Sequence, residues 1–103
     1  MSSNISRNDV LDKLMEVIDP EFYYNIVDLG LVYDVIISDE KVTVEFTLTH
    51  EGCPFGPEIE QNIVACLSSI TDKMIIPKLV WEPPWEAYMM ADEIKLDMGI
   101  PIF

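Results

Sequence analysis

Apolar residues recur at helical spacing near the start of the chain. Val10, Leu14 and Val17 fall on one stripe, with Leu11, Met15 and Ile18 beside it, and that period predicts an amphipathic helix over residues 6 to 18. Ser6 followed by Asp9 resembles a capping box with Asp in place of Glu. Asp19-Pro20 ends the predicted helix, because the residue before proline avoids the α region. Glu21 to Leu31 has no clean period and holds Gly30, so it reads as an irregular, partly extended connection. Val32 to Ser38 is rich in β-branched residues and predicts a strand. Lys41 to Thr49 alternates: Val42, Val44, Phe46 and Leu48 face one way, and Thr43, Glu45, Thr47 and Thr49 the other. That is a strand with one buried face, and Asp39-Glu40 between the two predicts a hairpin turn.

The second half of the chain follows the same logic. His50 to Gly56 is a loop holding Gly52, Cys53 and Pro54. Pro57 suits the first helical position, and Glu58 and Glu60 suit the positive end of the helix dipole. Ile59, Ile63, Cys66, Leu67 and Ile70 make the core stripe of this helix. Ile75 to Glu82 reads as a third strand, with Pro77 marking an edge or a start. Pro83-Pro84-Trp85 is a stiff corner, and Asp92 is the expected cap of a short last helix ending at Gly99. The element order is helix, strand, strand, helix, strand, helix. It predicts an α/β two-layer sandwich, a small mixed three-stranded β-sheet with helices on one face. No repeat or linker interrupts residues 1–103, so one domain is expected.

Charge narrows the function classes. Six Lys or Arg stand against nineteen Asp or Glu, a formal net charge of −13 at pH 7. Lys13, Lys41, Lys73, Lys78, Lys95 and Arg7 are scattered singly, whereas phosphate backbones and anionic membranes require clustered cations. Nucleic acid and membrane surfaces are therefore not the expected partners. The acids form either a solvated face or a surface that docks a basic partner. Half of the residues are hydrophobic, which supports a packed core and argues against disorder. Met1 to Arg7 lacks an apolar signal region, and two cysteines do not make a disulfide scaffold. A reducing cytoplasm is the expected compartment.

Cys53 is the main candidate for chemistry. It stands in a Gly- and Pro-bounded loop just before a helix N-terminus, where amide N–H groups and the dipole favour a thiolate. The same residue reads alternatively as a buried structural cysteine. Cys66 lies on the apolar helix stripe and reads as core. A disulfide between the two is disfavoured, since ten helical residues span about 15 Å and a bridge needs Cα atoms within about 7 Å. His50, the single histidine, is a loop residue or a secondary ligand or proton acceptor. One Cys with one His falls short of the usual zinc set. Asp19, Glu21 and Asp28 cluster around Pro20; they either stabilise turns or bind metal and move protons. Trp81, Trp85, Tyr88, Met89 and Met90 either close the core or form a partner surface, with Trp85 and Tyr88 its centre.

Four segments read together resemble a known family. They are Asp19-Pro20-Glu21, then Asn25-Ile26-Val27-Asp28-Leu29-Gly30-Leu31-Val32-Tyr33, then Thr47-Leu48-Thr49 with Cys53-Pro54, then Pro83-Pro84-Trp85. In this order and spacing the chain, over about residues 8 to 100, is similar to the iron–sulfur cluster assembly auxiliary family of SufT-like and PaaD-like proteins. A eukaryotic relative is a subunit of a cytosolic iron–sulfur targeting complex. The resemblance implies a compact α/β domain and a role in metalloprotein maturation, with Cys53 as the cofactor- or metal-binding residue. It implies that Asp19, Glu21 and Thr49 lie near Cys53, and that Asp28 to Val32, with Gly30, shape the floor of one site. The chain departs from the pattern at Thr71-Asp72-Lys73-Met74, where a glycine turn is usual. It lacks an arginine near the end, Lys95 being the nearest cation, and it continues past the pattern at Ile100-Pro101-Ile102-Phe103.

The expected function is an accessory factor that is not itself an enzyme. Its cargo would be a labile iron–sulfur cluster or iron, shared with another subunit or a client, because one thiolate cannot complete a cluster; stable binding of nothing is also compatible. The expected partners are iron–sulfur assembly machinery or client proteins, with a homodimer open. Three alternatives stand beside it: PaaD-like assembly of an aromatic-ring oxygenase, a thiol enzyme using Cys53 with His50 and Asp28, and a pure interaction domain.

Overall fold

The structure is a computed structural model, and it describes residues 5–99. Its elements are α1 (Arg7–Leu14), β1 (Val32–Ile37), β2 (Lys41–Phe46), α2 (Gly56–Leu67), β3 (Met74–Leu79), a 3₁₀ turn (Ala87–Met89) and α3 (Asp92–Met98). The sheet order is β1-β2-β3. β1 and β2 are antiparallel and β2 and β3 parallel, so the sheet is mixed as expected. The β1–β2 pair is the predicted hairpin, and α2 is the crossover that a parallel pair requires. Pro77 lies on the edge strand β3, opposite Val44, where a missing N–H is tolerated.

The alternation read from β2 sets the core. Val42, Val44 and Phe46 are fully buried, and their partners on the same face are Ile37 and Val35 of β1 and Ile75 and Leu79 of β3. Val10 and Leu14 of α1 and Ile59, Ile63 and Leu67 of α2 close over that face. Full burial of each Leu or Ile is worth about 1.5–3 kcal/mol. Cys66 lies at the seam of the two helices, where its thiol donates to the Lys13 carbonyl at 3.0 Å. Both cysteines are free.

Several boundaries differ from the sequence reading. The capping box of Ser6 and Asp9 is present, but α1 stops at Leu14. Residues 16 and 17 continue in tight i→i−3 turns, and Val17 then enters an extended segment, accepting from the Ile26 N–H at 3.0 Å. Val17 is buried as the stripe predicts, while Met15 and Ile18, half exposed, are not part of the core. Helix packing ends there because Ile18 pairs with Asn25, and that pairing needs extended backbone. β2 ends at Phe46, not Thr49. Beyond it Thr47 and Leu48 are both buried, since the Thr47 N–H is tied to the Leu31 carbonyl and the chain there is enclosed on both sides. α2 begins one residue earlier than Pro57, and β3 spans 74 to 79. Asp92 is not the cap of α3. That position is Ala91, and Asp92 lies in the first turn, where its charge still suits the dipole. Gly99 ends the helix at φ +76°, as a C-terminal glycine should. Lys95 is buried, which removes it as a substitute for the missing arginine at a partner surface. The segment 100–103 lies outside the described residues.

Candidate functional site

The segment between α1 and β1 is an ordered turn, built on a buried carboxylate. Asp19 Oδ1 accepts the backbone N–H of Glu21 at 2.6 Å and of Phe22 at 3.0 Å. The Asp19 backbone donates to Tyr24 and accepts from Tyr23. Tyr23 takes the left-handed conformation, φ +64°, that closes the loop. Asp19 is wholly buried, and its second oxygen, Oδ2, has no partner among the described residues. The turn projects Glu21 outward.

The loop after β2 meets it. The Cys53 N–H donates to the His50 carbonyl at 3.1 Å, a turn that puts both side chains on one side of the loop. The Thr49 hydroxyl donates to Glu21 Oε1 at 3.3 Å, and Cys53 Sγ lies 4.0 Å from the same oxygen. His50 Nε2 is 3.6 Å from Glu21 Oε2. One donor atom each from Glu21, His50 and Cys53 falls within 4.8 Å of the other two. Glu21, Thr49, His50 and Cys53 therefore converge, with Asp19 beneath them.

The other sequence-predicted residues have different surroundings. Asp28 is held in a local turn by Asn25, which donates to its carboxylate at 2.9 Å and accepts its N–H at 2.8 Å. Gly30, at φ +79°, clears the Met89 backbone: an added Cβ would stand 2.4 Å from the Met89 carbonyl oxygen. Its close approach serves the C-terminal segment and not the cysteine loop. Trp85 is turned inward. Its indole N–H donates to the Leu29 carbonyl at 2.8 Å, and its ring lies 6.5 Å from that of Phe22, so it braces the turn that carries Glu21. Tyr88 is 65% exposed.

The electrostatics of Cys53 reverse the sequence reading. Burial pushes the thiol up, and the negative charges of Glu21 and Asp19 push the same way. The Phe55 backbone N–H, at the N-cap of α2, favours the thiolate but is outweighed. The dipole argument is local, and it omits the two carboxylates that the fold delivers from the other loop. Sequence reasoning also missed Phe22 and the Phe55 amide. The signal for Phe22 was slight: an aromatic residue directly after Asp19-Pro20-Glu21, in a segment without period.

Residues 7–74 match the family model described as "Iron-sulfur cluster assembly protein". The chain belongs to this family. It is 44% identical over 86 residues to the Fe–S protein maturation auxiliary factor SufT of Staphylococcus aureus, covering 82% of this chain and 98% of the relative. To the Fe–S protein maturation auxiliary factor YitW of Bacillus subtilis it is 35% identical over 96 residues, covering 91% and 94%. A crystal structure of a domain of unknown function from Bacillus anthracis superposes with a TM-score of 0.85 at 35% identity, over 91% of this chain and 92% of that one. All four converging residues fall inside the stretch that matches the family, whereas Trp85 and Tyr88 lie beyond it. Among the described residues, no helix is long and apolar enough to cross a membrane.

Proposed function

We propose that this protein is an accessory factor in the maturation of iron–sulfur proteins, and that Cys53 Sγ is the atom that meets the iron-containing cargo. The observation that carries the reading is the convergence of Glu21, His50 and Cys53 within 4.8 Å, inside the stretch that matches the iron–sulfur assembly family. The chain offers one thiol at this place, because the Cys66 thiol is engaged by Lys13 at the helix seam. A cluster usually takes four cysteine ligands, so the cargo is shared with the assembly machinery or the client.

The raised thiol suits that role. A proton competes with metal for the sulfur, so a raised thiol holds cargo less tightly at neutral pH than at higher pH. Loose, incomplete coordination favours transfer over storage, and the protein itself catalyses no turnover. The exposed acids Asp39, Glu40, Asp72, Glu93 and Asp97 are the candidates for docking a basic client, whose association weakens as salt rises. The reducing cytoplasm is the compartment that keeps such a thiol available.

The test uses cells lacking this protein, complemented with wild type or Cys53→Ser, with the activity of an iron–sulfur enzyme measured. Wild type restores activity and Cys53→Ser does not. Equal rescue by both removes Cys53 from the function.

A further inference from the structure

We propose that Glu21, His50 and Cys53 form a binding site for a single divalent transition-metal ion. This deepens the reading above and rests on it: the cargo that meets Cys53 is one ferrous ion, not a finished cluster.

The donor geometry is the first support. Metal–ligand distances of about 2.0–2.3 Å put two ligands of one tetrahedral ion about 3.5 Å apart. His50 Nε2 and Glu21 Oε2 are 3.6 Å apart. Cys53 Sγ and Glu21 Oε1 are 4.0 Å apart. The spacing thus matches an ion's coordination shell after small side-chain rotations. The residues come from two loops held independently, one by Asp19 and one by the His50–Cys53 turn, so the match is not a by-product of neighbours in sequence. The set of one carboxylate, one imidazole and one thiol selects first-row transition metals over Mg²⁺ and Ca²⁺, which take oxygen ligands. It leaves a coordination position for water, sulfide or a client thiolate, as sites that react or exchange require.

The second support is independent of the donors. Asp19 is fully buried, its Oδ2 has no partner among the described residues, and its Oδ1 holds the backbone N–H of the ligand residue Glu21 at 2.6 Å. A buried carboxylate without a full set of partners is costly. A cation beside Cys53 compensates it. On binding, Sγ gives its proton to solvent and the sulfur–metal bond forms, with no change of oxidation state.

The experiment is an anaerobic titration of the metal-free full chain with Co²⁺, with a non-thiol reductant present. Wild type shows thiolate-to-cobalt charge-transfer absorption at one ion per chain. Zn²⁺ abolishes the band, Mg²⁺ and Ca²⁺ do not, and excess Fe²⁺ displaces cobalt, as its weaker place in the stability order requires. Cys53→Ser eliminates the band. His50→Ala and Glu21→Gln weaken binding by at least about tenfold, the scale of losing even an outer partner of a metal ligand. Cys66→Ser binds as wild type. X-ray absorption of the zinc-loaded wild type finds one sulfur ligand, which keeps the proposal testable if a variant misfolds. A wild type with no thiolate band, a zinc shell with no sulfur or two, or His50→Ala binding as tightly as wild type overturns the site. Client maturation in cells separates the two readings. His50→Ala that loses metal yet supports full maturation overturns the single-ion cargo and leaves the accessory role standing. Cys53→Ser that supports full maturation overturns that role of Cys53 and leaves the metal site.

Discussion

Two cysteines, one in the loop before α2 and one within it, illustrate how differently one residue type is used. Cys66 lies on the helix itself, at the seam with α1, and its thiol is satisfied by the Lys13 carbonyl. Cys53 lies in the loop before the helix, among Glu21, Thr49 and His50. Burial raises the pKa of both, so titration alone does not tell them apart. Their neighbours do. Cys66 is surrounded by elements that pack, and a change there is felt as stability. Cys53 is surrounded by loop residues with polar ends directed at one another, and on the proposed function a change there is felt as chemistry.

Four substitutions sharpen or break that contrast. The largest effect on stability belongs to the packed side: Ile63→Ala, on the same helix as Cys66 and fully buried, costs about 2–5 kcal/mol. It is read as a lower urea midpoint, while the folded fraction keeps its cobalt absorption. A lost cobalt band in folded protein would mean that core and site are one unit. Next comes Asp19→Ala, at the one place where the site reaches the interior. It strips the acceptor from the Glu21 and Phe22 N–H groups, costs about 1–3 kcal/mol, and lowers cobalt affinity because Glu21 loses its anchor. Unchanged affinity would make Asp19 purely structural. Cys66→Ala removes one hydrogen bond to Lys13, worth about 1 kcal/mol, and leaves the alkylation profile of Cys53 unmoved.

Glu21→Gln has the smallest effect on stability and the clearest on chemistry. In wild type the Cys53 thiol titrates above the ordinary value, so iodoacetamide reacts slowly at neutral pH and faster as pH rises. Burial is the largest cause, and the Glu21 charge adds to it. Neutralising that charge favours the thiolate, and the half-point of the rate–pH curve moves to lower pH with no change in the urea midpoint. A curve that stays in place would leave burial as the operative cause.

Local pattern carried the fold a long way. The alternation of Val42, Val44 and Phe46 and the stripe of Ile59, Ile63 and Leu67 mark residues that are buried in the structure, because a period of two or of 3.6 puts apolar groups on one side whatever the neighbours are. Pro77 and Gly99 were legible for the same reason, each having a backbone preference of its own. The end of α1 was not. Val17 satisfies the helical period, yet it is buried from an extended segment paired to Ile26, and a burial pattern does not reveal which backbone delivers it. Of the site, Cys53, Glu21, Thr49 and Asp19 were picked out by their motifs. The acid cluster around Pro20 suggests Asp28, and the resemblance suggests Asp28 and Gly30 as the floor of the site, but the fold uses them in the Asn25 turn and the Met89 approach.

Sequence alone carries the order of elements, the core face and the family resemblance, and it singles out Cys53 as the candidate for chemistry. These follow from short-range steric preferences and from side-chain chemistry that needs no partner. Tertiary structure alone decided that a carboxylate 32 positions away stands against the Cys53 thiol, that Trp85 braces the Glu21 turn from within, and that the thiol is raised and not lowered. Desolvation and through-space charge depend on which distant groups share a volume, and one-dimensional spacing does not specify that.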